Sequence, residues 1–131
     1  MRARPLSPHL TVYRMSRYTL VTSIVNRFSG LLLSAGLLLL VYWLISVAGG
    51  PKAYSRARAL LSLPPLQFIY WGLLVAFCYH LLAGIRHLIW DTGHALERSQ
   101  AQRSSWLIGL LTLALAIALG LWLVRFGGHA A

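Results

Sequence analysis

Three long stretches without a charged side chain decide most of what this chain can become. Residues 28–51, 59–85 and 104–124 carry no Lys, Arg, Asp or Glu. At 1.5 Å per helical residue, each is long enough to cross a hydrocarbon core about 30 Å thick. The expected architecture is an all-α membrane protein with three transmembrane helices at about 22–48, 66–92 and 104–125, forming an anchor domain over 22–131. An N-terminal arm over 1–21, broken by Pro5 and Pro8, lies on the membrane surface. Composition agrees: 58% of the 131 residues are hydrophobic and only two are acidic, too little polar surface to cover a soluble globule. The first apolar run starts too late for a secretory signal, and no Ser/Arg-rich presequence precedes Arg4-Pro5, which favours a bacterial protein over an organellar precursor.

The net charge of +10 would suit a nucleic-acid partner in a soluble chain. Here the basic residues sit between apolar spans and set orientation instead. Arg2, Arg4, Arg14, Arg17, Arg27, Arg86, Arg98 and Arg103 fall on one side, and Lys52, Arg56, Arg58 and Arg125 on the other. The excess places the N-terminus and the second connection in the cytoplasm and, with three spans, the C-terminus in the periplasm. Cys78 is the chain's only cysteine. It excludes an internal disulfide or a cysteine-held iron–sulfur cluster within this chain, and reads as a packing residue.

In the second span, His80, Gly84, His87 and Asp91 recur at helical spacing and share one stripe. His80 lies 11 residues before Asp91, about 16 Å along the axis, and so near the middle of the bilayer. An ionisable group at that depth reads as functional, and a neutral imidazole is the commonest axial ligand of haem iron. A glycine one turn away leaves room for a macrocycle. The bland alternative is a buried neutral histidine bonded to a Ser or Thr of a neighbouring helix. His87 is too far from His80 to share one iron; it and Arg86 suit haem propionates or the membrane interface. No second histidine matches the depth of His80, so the other ligand position is open or filled by a partner.

On the first span, Ser23, Arg27, Gly30 and Ser34 repeat the same rhythm. Arg27 either faces a pocket or snorkels to lipid phosphates. With Ser23 and Asp91 it would make a polar pocket suited to a quinone, whose carbonyls need donors and whose reduced forms gain negative charge. Asp91 alternatively pairs with Arg27 or Arg86. The connection from Pro51 to Pro65 reads as a surface turn, residues 92–103 as a polar loop, and Gly109, Thr112, Ala116 and Gly120 as the packing face of the third span.

The run His80-x-x-x-Gly84-Ile85-Arg86-His87-Leu88-x-Trp90-Asp91-x-Gly93 resembles the second-helix signature of the cytochrome b556 subunits of succinate dehydrogenase, membrane anchors of respiratory complex II. Arg4-Pro5-Leu6-Ser7-Pro8-His9-Leu10 resembles that family's opening, and Ser23-x-x-Asn26-Arg27-x-Ser29-Gly30 its first-helix motif. The resemblance implies half of a heterodimeric haem-binding helical bundle. It makes His80 an axial ligand of haem b, with the second ligand from another anchor subunit. It puts Ser23 and Arg27 at the ubiquinone, and Arg27, Arg86 and His87 at the haem propionates. Asn26 departs from the family's usual histidine; its amide still donates a hydrogen bond but carries no charge. The partners implied are a flavoprotein subunit, an iron–sulfur subunit and the second anchor. The chain itself would transfer electrons to quinone as a subunit and catalyse nothing alone. A structural anchor without haem, or a small transporter or channel subunit, are the competing readings.

Overall fold

A computed structural model describes residues 17–127; the motif expected over residues 4–10 and the first sixteen residues of the expected arm lie outside them, while residues 17–21 of that arm belong to the first helix. Four helices follow in order: α1 (Arg17–Ala48), α2 (Pro51–Leu61), α3 (Pro64–Asp91) and α4 (Arg98–Gly127), with no strand among the described residues. Three of them are long and apolar enough to cross a membrane, over Leu20–Ala48, Pro64–Asp91 and Arg98–Phe126. The all-α, three-span architecture expected from the sequence is the one observed.

Helix α3 is the centre of the arrangement. It packs along both α1 and α4, which touch each other less. The interior is built from small side chains: Ala57, Ala76, Cys78, Ala83 and Ala116 are buried, and large apolar side chains such as Phe28, Leu38 and Phe68 point outward. That inversion of a soluble core is expected where lipid is the solvent, since apolar groups gain nothing by leaving it and helices associate through close backbone approach. Gly36 shows the closeness: a Cβ there would lie 2.7 Å from Leu73 Cδ2. At Gly120 it would lie 2.5 Å from the Trp71 ring. On α4, Thr112, Ala116 and Gly120 face inward, whereas Gly109 of the expected packing face is exposed.

The expected turn between the first two spans is in fact the helix α2. Pro51 and Pro64 each stand in the first turn of a helix, where a missing N–H costs nothing and the fixed φ favours the helix. The same prolines that read as turn residues therefore start helices. Gly50, with φ of 86°, makes the reversal from α1 into α2. Gly49 brings the two helices together, since a Cβ there would lie 3.0 Å from that of Ala53. At the other end of α3, Gly93 (φ 81°) closes the helix through a 2.8 Å bond from its N–H to the Trp90 carbonyl. The Trp90 indole donates to the Ala95 carbonyl at 3.1 Å. The polar loop is correspondingly shorter than expected, and α4 begins at Arg98.

Candidate functional site: the His80 groove and the polar end of the bundle

His80 sits in the middle of α3 and turns its ring toward α1. Its Nδ1 lies 3.0 Å from Ser29 Oγ. The Ser29 hydroxyl is also 2.8 Å from the Asn26 carbonyl of its own helix, to which it donates. A hydroxyl has one proton. With that proton on the Asn26 carbonyl, the bond to the ring must be donated by His80 Nδ1–H, which leaves the lone pair on Nε2. This is the tautomer a metal-ligating histidine adopts when a second partner fixes its other nitrogen.

The ring is seated as well as bonded. A Cβ on Gly30 would lie 3.1 Å from His80 Cε1, so the glycine lets the imidazole rest close against α1 at this height. His80 lines a groove of about 480 Å³ between α1 and α3, walled by Gly30, Ser34, Gly36, Leu73 and Phe77. The groove is open along one side, so this chain supplies one wall of the site. Further along the stripe, His87 and Asp91 are exposed, and a Cβ on Gly84 would meet nothing within 4 Å. His87 and Asp91 thus face out of the three-helix unit, while His80, half-buried, lies against α1. The residues present fit a haem approached from the open side of the groove: a nitrogen with a free lone pair, its partner nitrogen held, and no side chain in front of the next turn.

Arg86 goes elsewhere. It is about 120° around α3 from His80 and only 5% exposed. Its Nη1 donates to Ser105 Oγ on α4 at 3.0 Å, and its guanidinium stacks over Trp90 with Cζ 4.6 Å from the ring centroid. Nε is buried without a hydrogen bond among the described residues. The pairing of Asp91 with Arg86 or Arg27 weighed from sequence is not observed: no carboxylate lies within 4.0 Å of a basic side chain among the described residues. His87 instead meets Trp90 edge to face, with centroids 5.3 Å apart.

On α1 the Ser23–Arg27–Gly30–Ser34 stripe is divided: Gly30 meets the His80 ring and Ser34 is exposed along the groove. Asn26, Ser29, Gly30, Leu33 and Gly36 turn inward, while Arg27 is exposed and Ser23 half-buried. Ser34 returns its hydroxyl to the Gly30 carbonyl of its own helix at 2.9 Å. Tyr79 crosses to α1 and donates to the Thr22 carbonyl at 3.1 Å, tying the two helices together beside Ser23. Ser29, the residue that touches His80, was visible in the sequence only as part of the first-helix motif. In a helix apolar on every side, no periodicity singles it out.

A family model described as the succinate dehydrogenase/fumarate reductase transmembrane subunit matches residues 1–119. The chain is 40% identical over 114 residues to the succinate dehydrogenase cytochrome b556 subunit of Paracoccus denitrificans, covering 87% of each chain. It is 32% identical to the subunit of the same name from Rickettsia typhi, over 88% of this chain and 90% of the relative. With the mitochondrial cytochrome b560 subunit of Sus scrofa the identity is 36%, over 88% of this chain and 69% of the relative.

Proposed function

The chain belongs to the succinate dehydrogenase/fumarate reductase transmembrane subunit family, and on that premise we propose that it is the haem b-carrying anchor of a bacterial succinate:quinone oxidoreductase. It holds the soluble subunits to the inner membrane and helps form the site where quinone is reduced. The observation that supports this most is the His80 ring, held at Nδ1 by Ser29 and seated on Gly30 in mid-span. Haem, when bound, supplies a one-electron store close to the quinone.

Nε2 of His80 would hold the haem iron, and a second anchor subunit would supply the other ligand across the open side of the groove. Ser29 fixes the ring's tautomer and its rotation. Gly30 keeps the approach clear. Arg27 and His87, both exposed, are free to meet the propionates, which charge-assisted bonds would hold. Arg86 is engaged by Ser105 and Trp90, so we assign it to holding α4 against α3; it would have to give up those contacts to reach a group on the His80 face. At the quinone, the Ser23 hydroxyl donates to a carbonyl, Arg27 offsets the negative charge that develops on reduction, and Asp91 relays protons from the aqueous edge. The partners are a flavoprotein subunit that oxidises succinate, an iron–sulfur subunit that conducts the electrons, and the second anchor. The N-terminus and the 92–97 turn face the cytoplasm, and the C-terminus faces the periplasm.

The Ser29 bond is also what a merely buried neutral histidine would make, so haem content separates the haem carrier from a structural anchor. The dithionite-reduced spectrum of the purified assembly should show a b-type band that His80→Ala abolishes while all subunits remain together. A wild-type assembly lacking that band overturns the proposal.

A further inference from the structure

Helix α2 carries a feature that neither the haem nor the quinone uses. Its inner face packs through Ala57, which is 1% exposed, and through Ala53 against Gly49. Lys52 and Arg56, one turn apart, and Arg58 all lie away from that face and are exposed. No acid is near them. The chain's two acids, Asp91 and Glu97, stand at the far end of α3, about 40 Å away along a 28-residue helix. Leu60 lies beside the Lys52/Arg56 face and is 48% exposed, whereas Tyr54 and Arg58 stand on the other flank of the helix.

The position of α2 is fixed by the chain itself. Two residues join it to the end of α1 and two more to the start of α3, both of which cross the membrane, so it can lie only at the membrane surface. At that depth the anions in plenty are lipid phosphates, and an amphipathic helix with a basic pair beside an exposed Leu is built to lie among them. We infer that the Lys52/Arg56 face of α2 is a binding site for the phosphate of an anionic phospholipid, with Leu60 set against the acyl region. The site stands independently of the haem assignment.

The test uses the complete assembly in detergent, offered phosphatidylglycerol and phosphatidylcholine in equal amounts, with retained lipids counted by native mass spectrometry. The wild type should prefer phosphatidylglycerol. In Lys52→Gln/Arg56→Gln that preference should fall by about fivefold for each charge removed, and in Arg98→Gln/Arg103→Gln, at the opposite membrane face, it should stay. An unchanged preference in the first variant, or equal losses in both, overturns the inference. Should the first variant fail to assemble, a benzophenone residue in place of Ser55 answers the same question with every charge intact. It should label phosphatidylglycerol over phosphatidylcholine, and equal labelling would overturn the site.

Discussion

Replacing Ser29 with alanine tests the chemistry of the His80 site most directly. The substitution removes a side chain that is 6% exposed and strips His80 Nδ1 of its 3.0 Å partner. The Asn26 carbonyl also loses its extra 2.8 Å donor but keeps its place in the helix. Loss of such a second-contact partner typically weakens metal affinity by 10–100-fold, or roughly 1.4–2.7 kcal/mol. The electronic effect has a definite sign. A ring donating from Nδ1 is a stronger base at Nε2 and favours ferric iron, so losing the acceptor should raise the haem midpoint potential. Purified assemblies of wild type, Ser29→Ala and Ser29→Thr would be compared for haem per complex and for midpoint potential by redox titration. Ser29→Ala should lose haem on dilution and titrate at higher potential, and Ser29→Thr, which keeps the hydroxyl, should recover both. A potential and a haem content unchanged in Ser29→Ala would refute the tautomer argument, because packing alone would not move the potential in that direction.

Arg27→Leu should lower quinone reductase activity and spare succinate oxidation by an artificial dye at the soluble subunits; equal loss of both removes Arg27 from the quinone site. Arg86→Gln should lower the thermal stability of the assembly by loosening α4 from α3 while leaving the reduced haem spectrum in place, and a shifted spectrum with unchanged melting would return Arg86 to the haem. Gly36→Ala, whose Cβ must displace Leu73, should cost about 1–3 kcal/mol as overpacking, read as a lower melting temperature, whereas Gly72→Ala and Gly109→Ala meet open space and should melt close to wild type.

The spans were legible because hydrocarbon thickness imposes a length that 28–51, 59–85 and 104–124 plainly satisfy. His80 was legible because an ionisable group in such a run is conspicuous. What could not be read was which way each helix faces. In water an apolar stripe marks the buried side; in lipid both sides are apolar, so the rhythm of Ser23, Arg27, Gly30 and Ser34 did not reveal that Asn26 and Ser29 turn inward and Arg27 outward. The direction of Arg86 was hidden for a related reason. Its neighbour His87 lies on the His80 stripe, and one residue of rotation sends the guanidinium to Ser105 and Trp90 instead. Helix α2 was hidden by punctuation with two meanings, since Gly49-Gly50-Pro51 and Pro64-Pro65 announce a break in one helix and the first turn of the next.

An interior dominated by small side chains has a cost for the cell. The spans hold together by close approach of their backbones, so a single enlarged residue at Gly36 or Gly120 would push two of them apart and leave the chain open to membrane proteases.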